Sequence, residues 1–292
     1  MAPNDEPISE SAAWEILERY VLDCLELDRE SLIAVYATGS LGGGYYRPGQ
    51  SDIDAVLIVA DGSQAIWGDL EQGSERLAAL NQAYQERYRI PKEMGAFALQ
   101  ESALYPPYDP TADVLPLEIA RLKVQGVCIY GAYDLDAVPM PVGDDFRRGA
   151  RVFEAWFEAE FLQEHPFAAF PEAACVNTIL MHLGRCLRVE RGVLEFDKRA
   201  VIAAYRQHDP PFVDEAAFRL VQASLAGETL SAPQVEALRR YAEQLRTQMN
   251  EYLGVTSEEA FADGMVSSPF LTFHSSLVTP RYSFICVRSC SA

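Results

Sequence analysis

Two aspartates one residue apart, in Asp52-Ile53-Asp54, are the feature of this chain best suited to chemistry. On an extended strand, positions i and i+2 project from the same face, so Asp52 and Asp54 converge while Ile53 and Ala55 point the other way, into a core. Two like charges at that spacing resist joint ionisation unless a divalent cation lies between them. Magnesium takes a few carboxylate oxygens together with phosphate oxygens and waters. The pair therefore reads as a partial cage that a triphosphate would complete. Upstream, Gly39 and Ser40 end a short apolar run, and the spacer to Asp52 is rich in glycine (Gly42, Gly43, Gly44, Gly49). Backbone N–H groups and a hydroxyl at such a turn can cradle phosphates, and glycine lets the backbone approach closely. Arg47, within the spacer, would add a positive charge. A lone Asp-x-Asp is more often a structural charge at a loop or strand end. Here the preceding strand, the glycine-rich spacer and the apolar strand running on from Asp54 occur together.

The elements that must position these residues follow from periodicity. Trp14, Leu17, Val21 and Leu25 recur at helical spacing. Leu32 to Ala37 reads as a strand entering the Thr38-Gly39-Ser40 turn, and Ile53 to Ala60 as a strand buried on both faces. Asp61-Gly62 breaks the chain, and a helix with Leu70, Leu77, Leu80 and Tyr84 on its buried side follows. Met94 to Leu99 is a third strand, Tyr105 to Pro110 a loop, Leu117 to Val124 a short helix, and Val127 to Tyr130 a fourth strand closed by Gly131. After Pro139-Met140-Pro141 the texture changes. Phe146, Val152, Phe153, Trp156, Phe157 and Phe161 form one helical face. Cys175 to Val189, Arg199 to Tyr205, Glu215 to Leu225 and Pro233 to Leu253 are further helices. The first of these is apolar nearly all round, as in the core of a bundle. The expectation is an α+β chain. Residues 1–142 form a mixed sheet flanked by helices, 143–254 an α-helical bundle domain, and 255–292, rich in Ser with the strand-like run Tyr282 to Val287, a weakly ordered tail.

Composition narrows the partners. The net charge of −19, from 43 acidic and 24 basic residues, argues against nucleic acid and against anionic membrane surfaces. It would steer a cationic ligand inward, and it would also simply keep the chain soluble. Six cysteines, Cys24, Cys128, Cys175, Cys186, Cys286 and Cys290, show no Cys-x-x-Cys pair with a histidine cluster, so zinc is not expected and most read as small buried hydrophobes. Met1 to Glu10 is polar and acidic, unlike a secretory leader, and no apolar run reaches the length of a membrane span. A cytoplasmic location is the expectation.

The Gly39-Ser40 to Asp52-Ile53-Asp54 pattern resembles the nucleotidyltransferase superfamily named for DNA polymerase β. Its hallmark is a hydrophobic residue, Gly, Gly or Ser, a spacer, and Asp-hydrophobic-Asp. Thr38 stands here where the family usually has an apolar or aromatic residue. Within that superfamily the chain is most similar to the aminoglycoside adenylyltransferases that modify streptomycin and spectinomycin. Arg47-Pro48 before Ser51-Asp52 carries part of that similarity. So does Ile129-Tyr130-Gly131 with Asp136 to Pro141, and so does the series Asn177, Arg185 and Lys198. The resemblance implies an N-terminal nucleotidyltransferase domain in which Asp52 and Asp54 hold Mg2+ and Gly39 and Ser40 hold the triphosphate of ATP. Arg185 and Lys198 would reach that triphosphate from the helical domain. A third carboxylate, Glu93 or Glu101, would be the catalytic base. Glu93 is favoured because the acid of the relatives precedes a run like Met94 to Leu99. The implied activity is transfer of AMP from ATP to a hydroxyl of a small molecule, an aminoglycoside among the options, with release of pyrophosphate. In the family this chemistry confers antibiotic resistance. The sequence departs from the relatives at His165 to Glu172, where they have a Trp and acidic residues. Phe170 and Glu172 are the candidates to replace them as an aromatic wall and an anion. Two alternatives stand beside this reading: nucleotidylation of a protein hydroxyl, and a non-catalytic nucleotide-binding protein that retains the fold.

Overall fold

The computed structural model describes residues 6–254 except 69–73, 92, 109–114, 158–161, 163–164 and 209–211. Leu70, Pro110, Phe161, Cys286, Cys290 and the whole 255–292 segment thus lie outside the described residues. By its contacts the chain divides into two compact units, Met1–Pro141 and Val142–Ala292.

The first unit is a four-stranded mixed sheet covered on both faces by helices, in the order β3-β2-β1-β4. Helix α1 spans Glu10–Asp28, capped by the Ser9 hydroxyl, which accepts from the Ala12 amide. Strand β1 is Leu32–Thr38, the one-turn α2 is Gly39–Gly42, and β2 is Ile53–Val59. The short α3, Gln64–Trp67, and then α4, Glu75–Tyr88, lead to β3, Met94–Gln100. Helix α5, Leu115–Gln125, precedes β4, Val127–Gly131. Strand β1 pairs antiparallel with both β2 and β4, whereas β2 and β3 run parallel. A parallel pair needs a crossover, and α3 and α4 lie in the stretch of chain that makes it.

Alternation along the strands assigns every side chain to a face. Ile53, Ala55, Leu57 and Val59 of β2 pack with Met94, Ala96 and Ala98 of β3 in the core under α1 and α4. Val56 and Ile58 pack with Tyr36, Phe97 and Leu99 in the opposite core, under Leu115, Ile119 and Leu122 of α5. Each fully buried aliphatic side chain in these layers contributes roughly 1.5–3 kcal/mol. Polar ties fix the layers. Tyr20 in α1 donates to Asn81 in α4 (2.5 Å), and Asn81 donates to the Ala96 carbonyl in β3 (2.8 Å). Strand β4 is an outer strand. With α1 it borders an apolar groove of about 580 Å³ where Leu22 and Val127 are exposed.

The second unit is helical. Its elements are α6, Gly143–Trp156; α7, Glu172–Arg191; α8, Val201–Gln207; α9, Glu215–Leu225; and α10, Ala232–Leu253. Helix α7 is buried over most of its circumference and packs against α6, α8, α9 and α10, as its continuous apolar sequence predicts. It ends on Gly192 in the left-handed region (φ 62°), a conformation that favours glycine. Among the described residues no helix is long and apolar enough to cross a membrane. Cys24, Cys175 and Cys186 are buried free thiols, and burial pushes the Cys24 thiol up to about 12. Cys128 is exposed, because it lies on β4 at the rim of the sheet.

Candidate active site

Strand register brings the acidic residues together. Parallel pairing sets Ile53 opposite Met94 and Asp54 opposite Gly95, and the Ile53 amide donates to the Glu93 carbonyl at 3.3 Å. Carried back one residue, the same register sets Glu93 beside Asp52. Parity then fixes the face. Asp52 and Asp54 share the side of β2 that Val56 and Ile58 occupy, and Glu93 shares the side of β3 that Phe97 and Leu99 occupy. All three carboxylates therefore belong to one face of the sheet, at one end. Glu101 has the same parity but follows the last residue of β3, roughly 25 Å along the strand from Glu93. It is exposed there near Tyr133, whose phenol is pushed up by burial first, then by Tyr105 and by Glu101 itself.

The Asp54 carboxylate sits in a slot walled by glycine. Across the sheet Asp54 faces Thr38 of β1, and the next residue, Gly39, has φ 59°. A Cβ at Gly39 would overlap the Asp54 Oδ2 atom. On the other side, a Cβ at Gly95 would come within 2.5 Å of Asp54 Oδ1 and 3.7 Å of Glu93 Oε1. Any side chain at either position would displace the carboxylate. Sequence reasoning missed Gly95, although a glycine inside a strand is a known mark of close approach.

The segment from Ser40 to Ser51 forms two closed turns. The amide of Tyr45 donates to the Ser40 carbonyl (2.9 Å). The amide of Arg47 donates to Ser51 Oγ (3.0 Å), and the amides of Gln50 and Ser51 donate to the Arg47 carbonyl (3.1 and 3.0 Å). The backbone of Arg47 thus closes the turn that delivers Asp52, and its side chain is half-buried. From α5, Gln125 donates to the Tyr45 hydroxyl (3.0 Å) and so ties the loop to the sheet unit. Three buried polar atoms in this region have no hydrogen-bond partner among the described residues: Ser40 Oγ, the Tyr46 hydroxyl and Gln125 Oε1. Leaving such a group unsatisfied costs about 1–3 kcal/mol. Tyr46, also missed from sequence, has its phenol pushed up by burial first and then by the charge of Asp52.

Among the described residues no three His, Cys, Asp or Glu side chains are arranged to hold a metal ion by themselves. Magnesium, the metal the resemblance implies, is usually bound through one or two carboxylates plus substrate phosphates and not by a dedicated protein cage. The donors on offer are hard carboxylate oxygens, with a buried hydroxyl on the residue after Gly39.

Four residues expected at the site, Arg185, Lys198, Phe170 and Glu172, belong to the helical unit. The resemblance implies that Arg185 reaches a triphosphate. In the structure its guanidinium is buried, paired with Glu154 and stacked at 4.0 Å from the centre of the Phe153 ring. His182 Nε2 lies 3.1 Å from the same Glu154 oxygen, and His182 Nδ1 is 2.7 Å from the Thr178 carbonyl. With its amide oriented to suit both neighbours, Asn250 donates to Glu154 Oε2 (3.2 Å) and accepts from Arg246 (3.1 Å). Burial works to raise the Glu154 carboxyl, but His182, Arg185 and Arg246 together hold it below its ordinary value. Lys198 is exposed and donates to Asn177 Oδ1 at 3.0 Å. Phe170, read from sequence as an aromatic wall, lies in the helical core against Phe167, and Glu172 accepts from Ser224 (2.5 Å). Phe170 is buried because it directly precedes the central helix α7 and packs with the core that helix organises.

Comparison with protein families finds no match, and comparison with curated proteins finds none either. Among solved structures the chain is similar to spectinomycin adenyltransferase AAD(9) from Enterococcus faecialis, a structure containing ATP and spectinomycin. The TM-score is 0.53 at 16% identity, and the match covers 81% of this chain and 99% of that one. The likeness shows that this chain shares the fold of that structure.

Proposed function

We propose that this chain is a magnesium-dependent nucleotidyltransferase that moves AMP from ATP to a hydroxyl of a small molecule. The observation that carries the reading is the register of β2 against β3, with Asp52, Asp54 and Glu93 on one face beside the Gly39-Ser40 turn. The fold it shares with spectinomycin adenyltransferase AAD(9), a structure containing ATP and spectinomycin, supports the reading.

Asp52 and Asp54 would hold Mg2+, which when bound neutralises phosphate charge and orients the oxygens of an in-line displacement. Gly39 and Ser40 bind the outer phosphates: the backbone approaches closely at Gly39, and the Ser40 hydroxyl gains the partner it lacks. Arg47 adds positive charge from the same loop. Glu93 accepts the proton of the acceptor hydroxyl as its oxygen bonds to the α-phosphorus. The bond from that phosphorus to the bridging oxygen breaks, and pyrophosphate leaves. General-base assistance of this kind is worth ~10²–10⁴-fold in rate, and the rest is positioning. The net charge of −19 favours a cationic acceptor, an aminoglycoside included.

The test is pyrophosphate release from ATP and Mg2+ across a panel of aminoglycoside and aminocyclitol acceptors. Acceptor-dependent release that Asp52→Ala abolishes, in a variant that still folds, is the expected result. Undiminished release from Asp52→Ala would refute the assignment. Release that needs a protein acceptor would move the reading to protein nucleotidylation, and ATP binding with no release for any acceptor would favour a non-catalytic binding protein.

A further inference from the structure

We infer that Gly95 is a positioning residue of this site. By presenting no side chain it lets the Asp54 carboxylate lean over β3 toward Glu93, and so sets the spacing of the metal ligand and the base. The inference rests on the function proposed above and adds a residue that has no functional group of its own.

A glycine inside a strand has three possible grounds. The backbone needs a positive φ, another stretch of backbone comes too close for a Cβ, or a neighbouring side chain fills the space a Cβ would take. At Gly95 the first is excluded, because its φ is not positive, unlike that of Gly39. The second is excluded by the surroundings. The atoms nearest to a Cβ placed on Gly95 are Asp54 Oδ1 (2.5 Å), Asp54 Cγ (3.6 Å) and Glu93 Oε1 (3.7 Å), all of them side-chain atoms. The third ground remains. Glycine weakens a strand interior relative to alanine, so the two acids call for it here and the sheet does not.

Register explains the geometry. Gly95 pairs with Asp54 across the parallel ladder and stands two positions after Glu93, so all three belong to one face. A side chain at position 95 would stand between the two acids. With glycine there, Asp54 Oδ1 lies over the bare backbone, while Oδ2 is turned toward Gly39. The carboxylate thus spans two positions without side chains, one just after β1 and one in β3. Gly39 does not isolate this effect, because its φ of 59° makes any substitution strain the backbone. Gly95 does isolate it. A methyl group at Gly95 meets the far end of a side chain, which moves at little cost to folding and at large cost to a site that needs its ligand in place.

The experiment compares the full-length wild type, Gly95→Ala, Asp54→Ala and the variant carrying both changes. Thermal unfolding is measured without ligand. Pyrophosphate release is measured with ATP, Mg2+ and the acceptor of the panel above that the wild type turns over. Gly95→Ala should keep or raise the melting temperature and lower kcat ~10²-fold, the order expected for a misplaced catalytic group, with the acceptor KM unchanged. The rise in melting temperature from Gly95→Ala should be larger in the Asp54→Ala background, where no carboxylate opposes the methyl group. Wild-type turnover in Gly95→Ala would overturn this inference alone. Equal shifts in melting temperature in the two backgrounds would also overturn it, by showing that the methyl group does not press on Asp54. A fall in both backgrounds would overturn it too, by showing that the strand itself needs glycine. Absence of release from the wild type with every acceptor of the panel would overturn the function proposed above, and this inference with it.

Discussion

Two clusters of ionisable residues occupy this chain, one at the end of the sheet and one inside the helical unit, and they are built on opposite principles. In the helical cluster a single buried carboxylate, Glu154, is surrounded by Arg185, His182 and Asn250, with Arg246 behind, and the opposite charges answer one another. At the sheet end three carboxylates of one sign share a face, and the neighbouring Ser40 and Tyr46 hydroxyls have no partner among the described residues. The first arrangement is complete as it stands and reads as packing. The second gathers carboxylates on one face beside two hydroxyls that have no partner among the described residues, a donor set that suits a cation and an anion together. Orphaned atoms alone do not make the distinction, since Thr178 Oγ1 is also buried without a partner among the described residues, beside the balanced cluster. The sign of the gathered charge does.

The contrast can be broken by substitution, starting with the largest expected effect. Asp54→Ala should reduce acceptor-dependent pyrophosphate release to background while urea unfolding gives an unchanged or higher stability. A marked loss of stability there would show that the sheet-end carboxylates are structural after all. Glu93→Gln should lower kcat ~10²–10⁴-fold and leave magnesium-ATP affinity intact by calorimetry. Glu154→Ala should do the reverse and destabilise the fold by about 3–5 kcal/mol in urea, because it leaves guanidinium charge buried without its carboxylate. If that variant melts like the wild type, the helical cluster is not the closed unit described.

The pH dependence sharpens the same point. The Glu154 carboxyl is held below its ordinary value in the folded state, so the folded state binds fewer protons there than the unfolded chain. The stability that this group contributes is fully present above the unfolded pKa and is lost as pH falls through the lowered folded one. Glu154→Gln should therefore flatten the acid limb of a stability-against-pH curve measured by urea unfolding. The smallest effect is expected at Glu101, exposed at the far end of β3. There Glu101→Gln should stay within about 0.5 kcal/mol of wild type in stability and match it in turnover. A turnover defect as large as that of Glu93→Gln would transfer the base assignment to it.

Much of the sheet unit was legible in the sequence. The unbroken apolar run to Ala60 shows a strand buried on two faces, and the two-residue period of side chains along it places Asp52 and Asp54 together. What alternation cannot give is which strand lies next to β2 and in which direction. Glu93 and Glu101 bracket the same apolar run with the same parity, so local pattern does not separate them. Only the parallel pairing of Ile53 with Met94 does, and that is a long-range fact. The helical unit was less legible at its charged positions. Glu154 lies inside the aromatic stripe of α6, where nothing local marks it as the partner of Arg185 thirty-one positions away. Phe170 looks like a pocket wall in sequence because aromatic residues serve both pockets and cores, and the fold assigns it to a core.

The parallel pairing of β2 and β3 also sets which length changes this molecule can absorb. An extra residue in the exposed turn at Asp61-Gly62 changes only the length of the crossover and leaves both strands in step. The same extra residue placed between Glu93 and Met94 leaves β3 paired as before, but rotates the acid to the opposite side of the sheet, away from the aspartates. Such an insertion would yield a chain that keeps its layers and its melting behaviour and lacks only its base. It would separate catalytic geometry from folding more cleanly than replacement of the carboxylate itself.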